Sequence, residues 1–228
     1  MRSILIGLIA LAASCAPAFA QTINPGAQRF AHIVLVDTGM FEQAIGAAKE
    51  QLGPSFRQGY QNAPWATGLD ADKRAKVGAY VDTIPDLLSA ALMEALPEIE
   101  TAVATAYSRE LKPQEADQIA NYLGSEDGLA FLKAATGVAL STYKSGGRRP
   151  SSAEMMATLT PKQQASLNAF ARTPGGRAFT RVGGNKARTI MRDAIAKDVM
   201  PAKVPALRAR IRTDLCAIIG DPCLVPMP

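Results

Sequence analysis

Residues 111–131, LKPQEADQIANYLGSEDGLAF, return 48 residues later as residues 159–179, LTPKQQASLNAFARTPGGRAF. Leucine, proline, glycine, alanine and phenylalanine recur at 111/159, 113/161, 128/176, 130/178 and 131/179, and Ile119/Leu167, Tyr122/Phe170 and Ser125/Thr173 are conservative matches. Ala116, Ile119, Ala120 and Leu123 fall at the three- and four-residue steps of a buried helix face. Each copy therefore reads as a helix, a break and a second helix. Pro113 and Pro161 suit first helical turns, where the N–H that proline lacks has no partner anyway. Ser125 and Thr173 suit N-caps of the second helices, followed by acids in one copy and by Pro174 in the other. Tyr122 and Phe131, like Phe170 and Phe179, stand nine apart across the break and can fill the angle between the two helices. Gly128 and Gly176 permit close approach of backbones. With Leu111 and Leu159 leading into each copy, every repeated position has a packing role.

The composition agrees. Of 228 residues 41 are alanine, 48% are hydrophobic and only 6% aromatic, which favours helix over sheet. The expectation is an all-α multi-helix bundle containing two related helix–break–helix units and an irregular N-terminal segment. Four regions follow: 1–20, a signal peptide; 21–69, irregular, with one short helix over about 38–52 capped by Asp37 or Thr38 and stopped by Gly53-Pro54; 70–215, the helical domain; and 216–228, a C-terminal tail. Ile33-Val34-Leu35-Val36 reads as an apolar helix start or an extended strap. Leu88, Leu92, Ala95, Ile99, Val103 and Ala106 form one buried stripe, with Pro85 and Pro97 at first turns or kinks. Val204, Leu207, Ile211, Leu215 and Ile218 form another. Gly146-Gly147-Arg148-Arg149-Pro150 is the clearest linker.

The run Leu159-Thr160-Pro161 … Phe170-Ala171-Arg172-Thr173-Pro174-Gly175-Gly176-Arg177 resembles the L-T-x-x-E … F-Y-x-S-P-x-G-x-K signature of the domain of unknown function 2059 family. The first copy carries the signature's acid, Glu115, but lacks its proline; the second has the proline but Gln163 in place of the acid. The resemblance covers about 70–145 and, more loosely, 150–185. It implies an exported helical bacterial protein and brings no catalytic residues with it.

The N-terminus, MRSILIGLIALAASCAPAFA, has a positive start at Arg2, an apolar run from Ile4 to Ala13 and a small-x-small site at Ala18-Phe19-Ala20. The expectation is cleavage after Ala20 and a periplasmic or secreted chain with no transmembrane segment. Lipid attachment at Cys15 is the minority alternative, because Leu11 sits four rather than three residues before the cysteine. Cleavage leaves Cys216 and Cys223, an even count that in an exported chain predicts a disulfide across a short loop.

Candidate chemistry is sparse. His32 is the sole histidine, so two-histidine relays and multi-histidine metal sites are excluded. Glu94, Glu98 and Glu100 could pair as acid and base or hold a hard cation, but read more simply as a solvated acidic face. Gly183-Gly184-Asn185-Lys186 lacks phosphate-loop spacing and reads as a helix break. Charge is segregated: ten acids oppose two bases over 82–127, and eleven bases oppose two acids over 172–212, so the two regions are expected to face one another. No catalytic, cofactor or metal site is assigned. The leading expectation is a non-catalytic envelope binding or scaffold protein whose partner is another envelope protein or an anionic envelope surface, with no nucleic acid. The alternative is a periplasmic carrier of apolar or lipid-like ligands in space left between alanine-rich helices, and the third reading is a carboxylate hydrolase.

Overall fold

A computed structural model describes residues 23–145 and 152–220; the side chains of 139–145 and 152 are outside that description. The described residues are helical and contain no strand, so the chain is an all-α multi-helix fold. The helices are α1 (Pro25–His32), α2 (Met40–Gln61), α3 (Pro64–Thr67), α4 (Ala71–Val81), α5 (Ile84–Glu94), α6 (Leu96–Glu110), α7 (Pro113–Leu123), α8 (Glu126–Ser145), α9 (Ser152–Ala157), α10 (Pro161–Ala171), α11 (Pro174–Val182), α12 (Asn185–Ala194) and α13 (Met200–Ile219). Two π-helical stretches, Ile33–Asp37 and Ile195–Val199, continue α1 and lead into α13. The proposed signal 1–20 and the linker 146–150 lie outside the described residues.

Residues 23–69 are more regular than their glycines and prolines suggest, which corrects the expected irregular segment with one short helix. Asn24 caps α1 by accepting from the Gly26 N–H at 2.9 Å, with Pro25 in the first turn. The apolar run Ile33–Val36 is helical and not a strap: it widens α1 into a π turn that buries Ile33 and Leu35. Thr38 closes this turn by donating to the Val34 carbonyl at 2.6 Å and accepting from the Met40 N–H at 3.1 Å. Gly39, at φ +66°, then reverses the chain into α2. Helix α2 does not stop at Gly53-Pro54 but runs through them to Gln61. A proline inside a helix costs about 3 kcal/mol. The second half of α2 is retained because Phe56 and Tyr60 pack against the second core described below, and tertiary packing overrides local propensity.

Two apolar cores result. The larger gathers α1, α6, α7, α10, α11 and the second π turn, with Ile99, Val103, Ile119, Leu123 and Val182 at its centre. The smaller joins α2, α4, α5 and α13 through Val77, Val81, Ile84, Ile211 and Leu215. Pro85 and Pro97 both occupy first helical turns, of α5 and α6. The stripe from Leu88 to Ala106 is accordingly divided between two helices and serves both cores.

The repeated units α7–α8 and α10–α11 share the same hydrogen bonds at their breaks. Ser125 accepts from the Gly128 N–H at 3.2 Å and donates to the Tyr122 carbonyl at 2.6 Å; Thr173 accepts from the Gly176 N–H at 3.0 Å and donates to the Phe170 carbonyl at 2.7 Å. Before each unit, the Glu115 carboxylate accepts from the Lys112 N–H at 3.0 Å, and the Gln163 amide oxygen accepts from the Thr160 N–H at 2.9 Å. A Cβ on Gly128 would lie 2.0 Å from the Tyr122 carbonyl oxygen, and one on Gly176 would lie 2.0 Å from that of Phe170. The units pack on each other: Tyr122 stacks on Phe170 at 4.0 Å and 7°, and Phe131 meets Phe179 edge-on at 6.3 Å. The aromatics thus bridge the two copies. The second copy also closes its own angle, through Phe170 and Phe179 at 6.1 Å.

The units differ in what covers them. Helix α7 buries Ala116, Ile119, Ala120 and Leu123, whereas the matching positions in α10 are Gln164, Leu167, Asn168 and Ala171, none of them fully buried. Helix α7 is gripped on two sides where side chains vanish. A Cβ on Gly26 of α1 would lie 2.5 Å from the Asp117 nitrogen, and one on Gly175 of α11 would lie 2.5 Å from the Gln118 Cβ. The Gln118 amide oxygen accepts from the Gly175 N–H at 2.7 Å.

Candidate functional site

The motif residues singled out from the sequence lie in or around the larger core. Leu111 and Leu159 are buried at the entries to the two units, Pro113, Pro161 and Pro174 begin α7, α10 and α11, and Tyr122, Gly128, Phe131, Phe170, Gly176 and Phe179 make the contacts above. Cys216 lies in the last turn of α13, and Cys223 lies outside the described residues.

The segregated charges meet. Arg181 reaches Glu115 at 3.1 Å, Lys186 reaches Glu110 at 2.6 Å and Lys203 reaches Glu98 at 2.7 Å, three pairs that each run from the basic region to the acidic one. The backbone N–H of Lys112, followed by the Arg181 guanidinium, holds the Glu115 carboxyl below its ordinary range. The hydrogen bond from Lys203 does the same for Glu98. Of the expected acidic face, Glu98 and Glu100 are therefore engaged. His32 sits between carboxylates, its Nδ1 3.2 Å from Glu100 and its Nε2 3.5 Å from Asp37. These three groups line a shallow polar depression with Arg29, Asn121 and Gly124. Gly183 and Gly184 break the chain between α11 and α12, Gly184 at φ +60°. No group of three or more histidines, cysteines and carboxylates able to hold a metal occurs among the described residues. No described helix is long and apolar enough to cross a membrane.

The other concavity is of a different kind. Between α2, α3, α5 and α13 lies a cavity of about 690 Å³, within the range of small-molecule sites. Its floor is made by Val81, Ile84, Ala95, Val199, Ile211 and Leu215, all buried. Phe56, Tyr60, Trp65, Leu88, Leu92 and Leu207 form its walls. Space is left where the walls are smallest, at Gly59, Ala63 and Ala91. Both hydroxyls on the lining are engaged with backbone: Tyr60 donates to the Arg74 carbonyl at 2.8 Å and Ser55 to the Gln51 carbonyl at 3.4 Å. The Tyr60 and Trp65 rings lie 5.8 Å apart. Beside the cavity, Tyr80 of α4 donates to Asp214 of α13 at 2.8 Å; burial first, and then this bond, push its phenol well up. Among the described residues, the charged groups on the lining are Lys203 and Arg208.

The stripes on α5 and α13 are visible in the sequence as buried faces. Trp65, Phe56 and Tyr60 have no such signal, since they come from the segment expected to be irregular. The nearest sign was the gathering of aromatics among small residues over 56–66.

Comparison with family models, with curated proteins and with solved structures gives no match to this chain.

Proposed function

We propose that this chain is a non-catalytic, exported binding protein that carries an apolar ligand in the cavity between α2, α5 and α13. The observation that carries this reading is the cavity's chemistry: a ligand-sized space walled by hydrocarbon and aromatic side chains, whose hydroxyls are already committed to backbone carbonyls. Such a lining gains free energy by desolvating an apolar molecule, roughly 25 cal/mol per Å² removed from water, and offers no nucleophile paired with a base. The scaffold reading is less favoured, because the three cross-region ion pairs give the segregated charge a use inside the molecule. Export rests on the sequence of residues 1–20, with cleavage after Ala20 and delivery to the periplasm or beyond. A Cys216–Cys223 disulfide then closes the tail after α13.

Native mass spectrometry of gently purified mature protein tests the carrier reading. A small apolar molecule bound one to one, and lost when Ala91→Phe fills the cavity without lowering the melting temperature, is the expected result. A parent protein that copurifies with nothing and shows no saturable binding of long-chain alkyl compounds overturns it.

A further inference from the structure

The cavity is apolar throughout its body, yet its charged groups have one sign. Val204, Leu207, Ile211 and Leu215 of α13 face the space at helical spacing, and all four line it. Lys203 stands four residues before Leu207, and Arg208 four residues after Val204. The two cations therefore flank the same end of the stripe, one on each edge, while Ile211 and Leu215 continue it as hydrocarbon. No carboxylate lines the cavity among the described residues.

Both cations line the cavity and can reach a ligand in it. Arg208 is exposed and has no ion-pair partner among the described residues. Lys203 pairs with Glu98, but their side chains are 40% and 52% exposed, and a solvated pair of this kind is worth little. Exchanging it for a partner whose chain fills the cavity costs little. A neutral hydrocarbon would leave both cations unused, and a cationic amphiphile would bring like charge against them.

We propose that the cavity takes a single-chain amphiphile with an anionic head, its alkyl chain between α2, α5 and α13 and its head at the mouth against Arg208 and Lys203. The volume is that of one drug-sized ligand, which selects one chain rather than two. Guanidinium and ammonium donors to an anion make charge-assisted hydrogen bonds stronger than neutral ones. This inference rests on the carrier reading above and adds the sign of the head.

The protein carries its own reporter. Trp65 is the only tryptophan in the chain and lines the cavity. The experiment titrates the mature full-length chain with palmitate, cetyl alcohol and cetyltrimethylammonium, each below its aggregation threshold, following Trp65 fluorescence. Palmitate is expected to give a saturable change with affinity about tenfold or more above the alcohol, as hydrogen bonds to charged groups imply. The ammonium compound is expected to bind more weakly than either. A Lys203→Gln/Arg208→Gln variant should bring palmitate down to the level of the alcohol, with a far smaller change in alcohol binding and a melting temperature close to the parent's. Equal binding of all three, or palmitate binding untouched in the double variant, overturns the anionic head and leaves the carrier reading standing. Failure of all three to change Trp65 emission overturns both.

Discussion

The rings of Tyr122 and Phe170, which hold the same position in the two repeated units, lie on each other at 4.0 Å and 7°. Equivalent residues touch in this way when two copies of a unit are related by a local two-fold arrangement. Phe131 and Phe179, also equivalent, meet edge-on a short distance away. The duplicated sequence thus builds half of an interface in each copy, and the interface exists only when both are folded.

Removing either half should be costly in a way that removing the Tyr122 hydroxyl is not. Phe170→Ala is expected to lower unfolding free energy by about 3 kcal/mol or more, the usual loss for a buried phenylalanine. The Tyr122 hydroxyl is enclosed beside Ser166; burial pushes the phenol up, and the Ser166 hydroxyl opposes that rise. Tyr122→Phe should therefore change stability by about 1 kcal/mol or less, since it removes at most one weak hydrogen bond together with the buried hydroxyl that makes it. Urea denaturation of the two variants decides this; a Tyr122→Phe loss as large as that of Phe170→Ala would show that the hydroxyl holds the interface.

The two unit glycines should behave alike and unlike a third. Gly128→Ala and Gly176→Ala each place a methyl 2.0 Å from a carbonyl of the preceding helix. Each is expected to cost about 2 kcal/mol or more, as overpacking against backbone does. Gly137 lies inside α8, and a methyl added there would meet nothing within 4 Å, so Gly137→Ala should stabilise by about 0.5–1 kcal/mol through helix propensity alone. Thermal melts should order the three accordingly, and a harmless Gly128→Ala would mean that the helices separate freely at the break.

Acid should weaken the entry to α7 more than the entry to α10. The Glu115 carboxyl is held below the ordinary value of 4.5 by the Lys112 N–H and then by Arg181. A carboxyl with a lowered folded value contributes stability that is present above pH 4.5 and is lost as pH falls through the lower value. Gln163 makes the matching bond without a charge, so Glu115→Gln keeps the geometry and removes the titration. The variant should match the parent in kind near neutral pH and show a shallower fall in stability below pH 4.5. Parallel acid curves would show that the carboxylate has no such part.

The proposed export carries with it the expectation that the tail cysteines are oxidised. Thiol titration of the mature chain, denatured and unreduced, is expected to find none free, and reduction should lower stability by roughly 2–3 kcal/mol, as a short closed loop allows. Two titratable thiols would refute the pairing, and an intact mass beginning at Gln21 would confirm the cleavage on which the pairing is argued.

The parts of this molecule that can be found in the sequence are those governed by local chemistry. Pro113, Pro161 and Pro174 begin helices because proline at a first turn is a local matter, and Ser125 and Thr173 cap as their side chains dictate. What stayed hidden depended on distant partners. The aromatics are expected to close each copy on itself; Phe170 and Phe179 do so in the second copy, while Tyr122 of the first reaches across to Phe170. Pro54 looked like a stop, and α2 continued because Phe56 and Tyr60 had a core to reach. The cavity was the least legible feature. Leu88, Leu92, Leu207 and Ile211 have the periodicity of a packed face, and periodicity does not distinguish a face pressed against a neighbour from one that borders a space. Only Gly59, Ala63 and Ala91 decide that, by what they fail to fill.

The double grip on α7 makes the middle of the chain the keystone for segments far from it in sequence. Arg29 and its partner Asp117 are 88 residues apart, so α1 has no seat for Gly26 until α7 has formed. Gly175 closes the opposite side from farther along the sequence. Until the middle of the chain is in place nothing covers the apolar face of α1, and the joint is closed on both sides only when a segment from the last third of the sequence takes its seat.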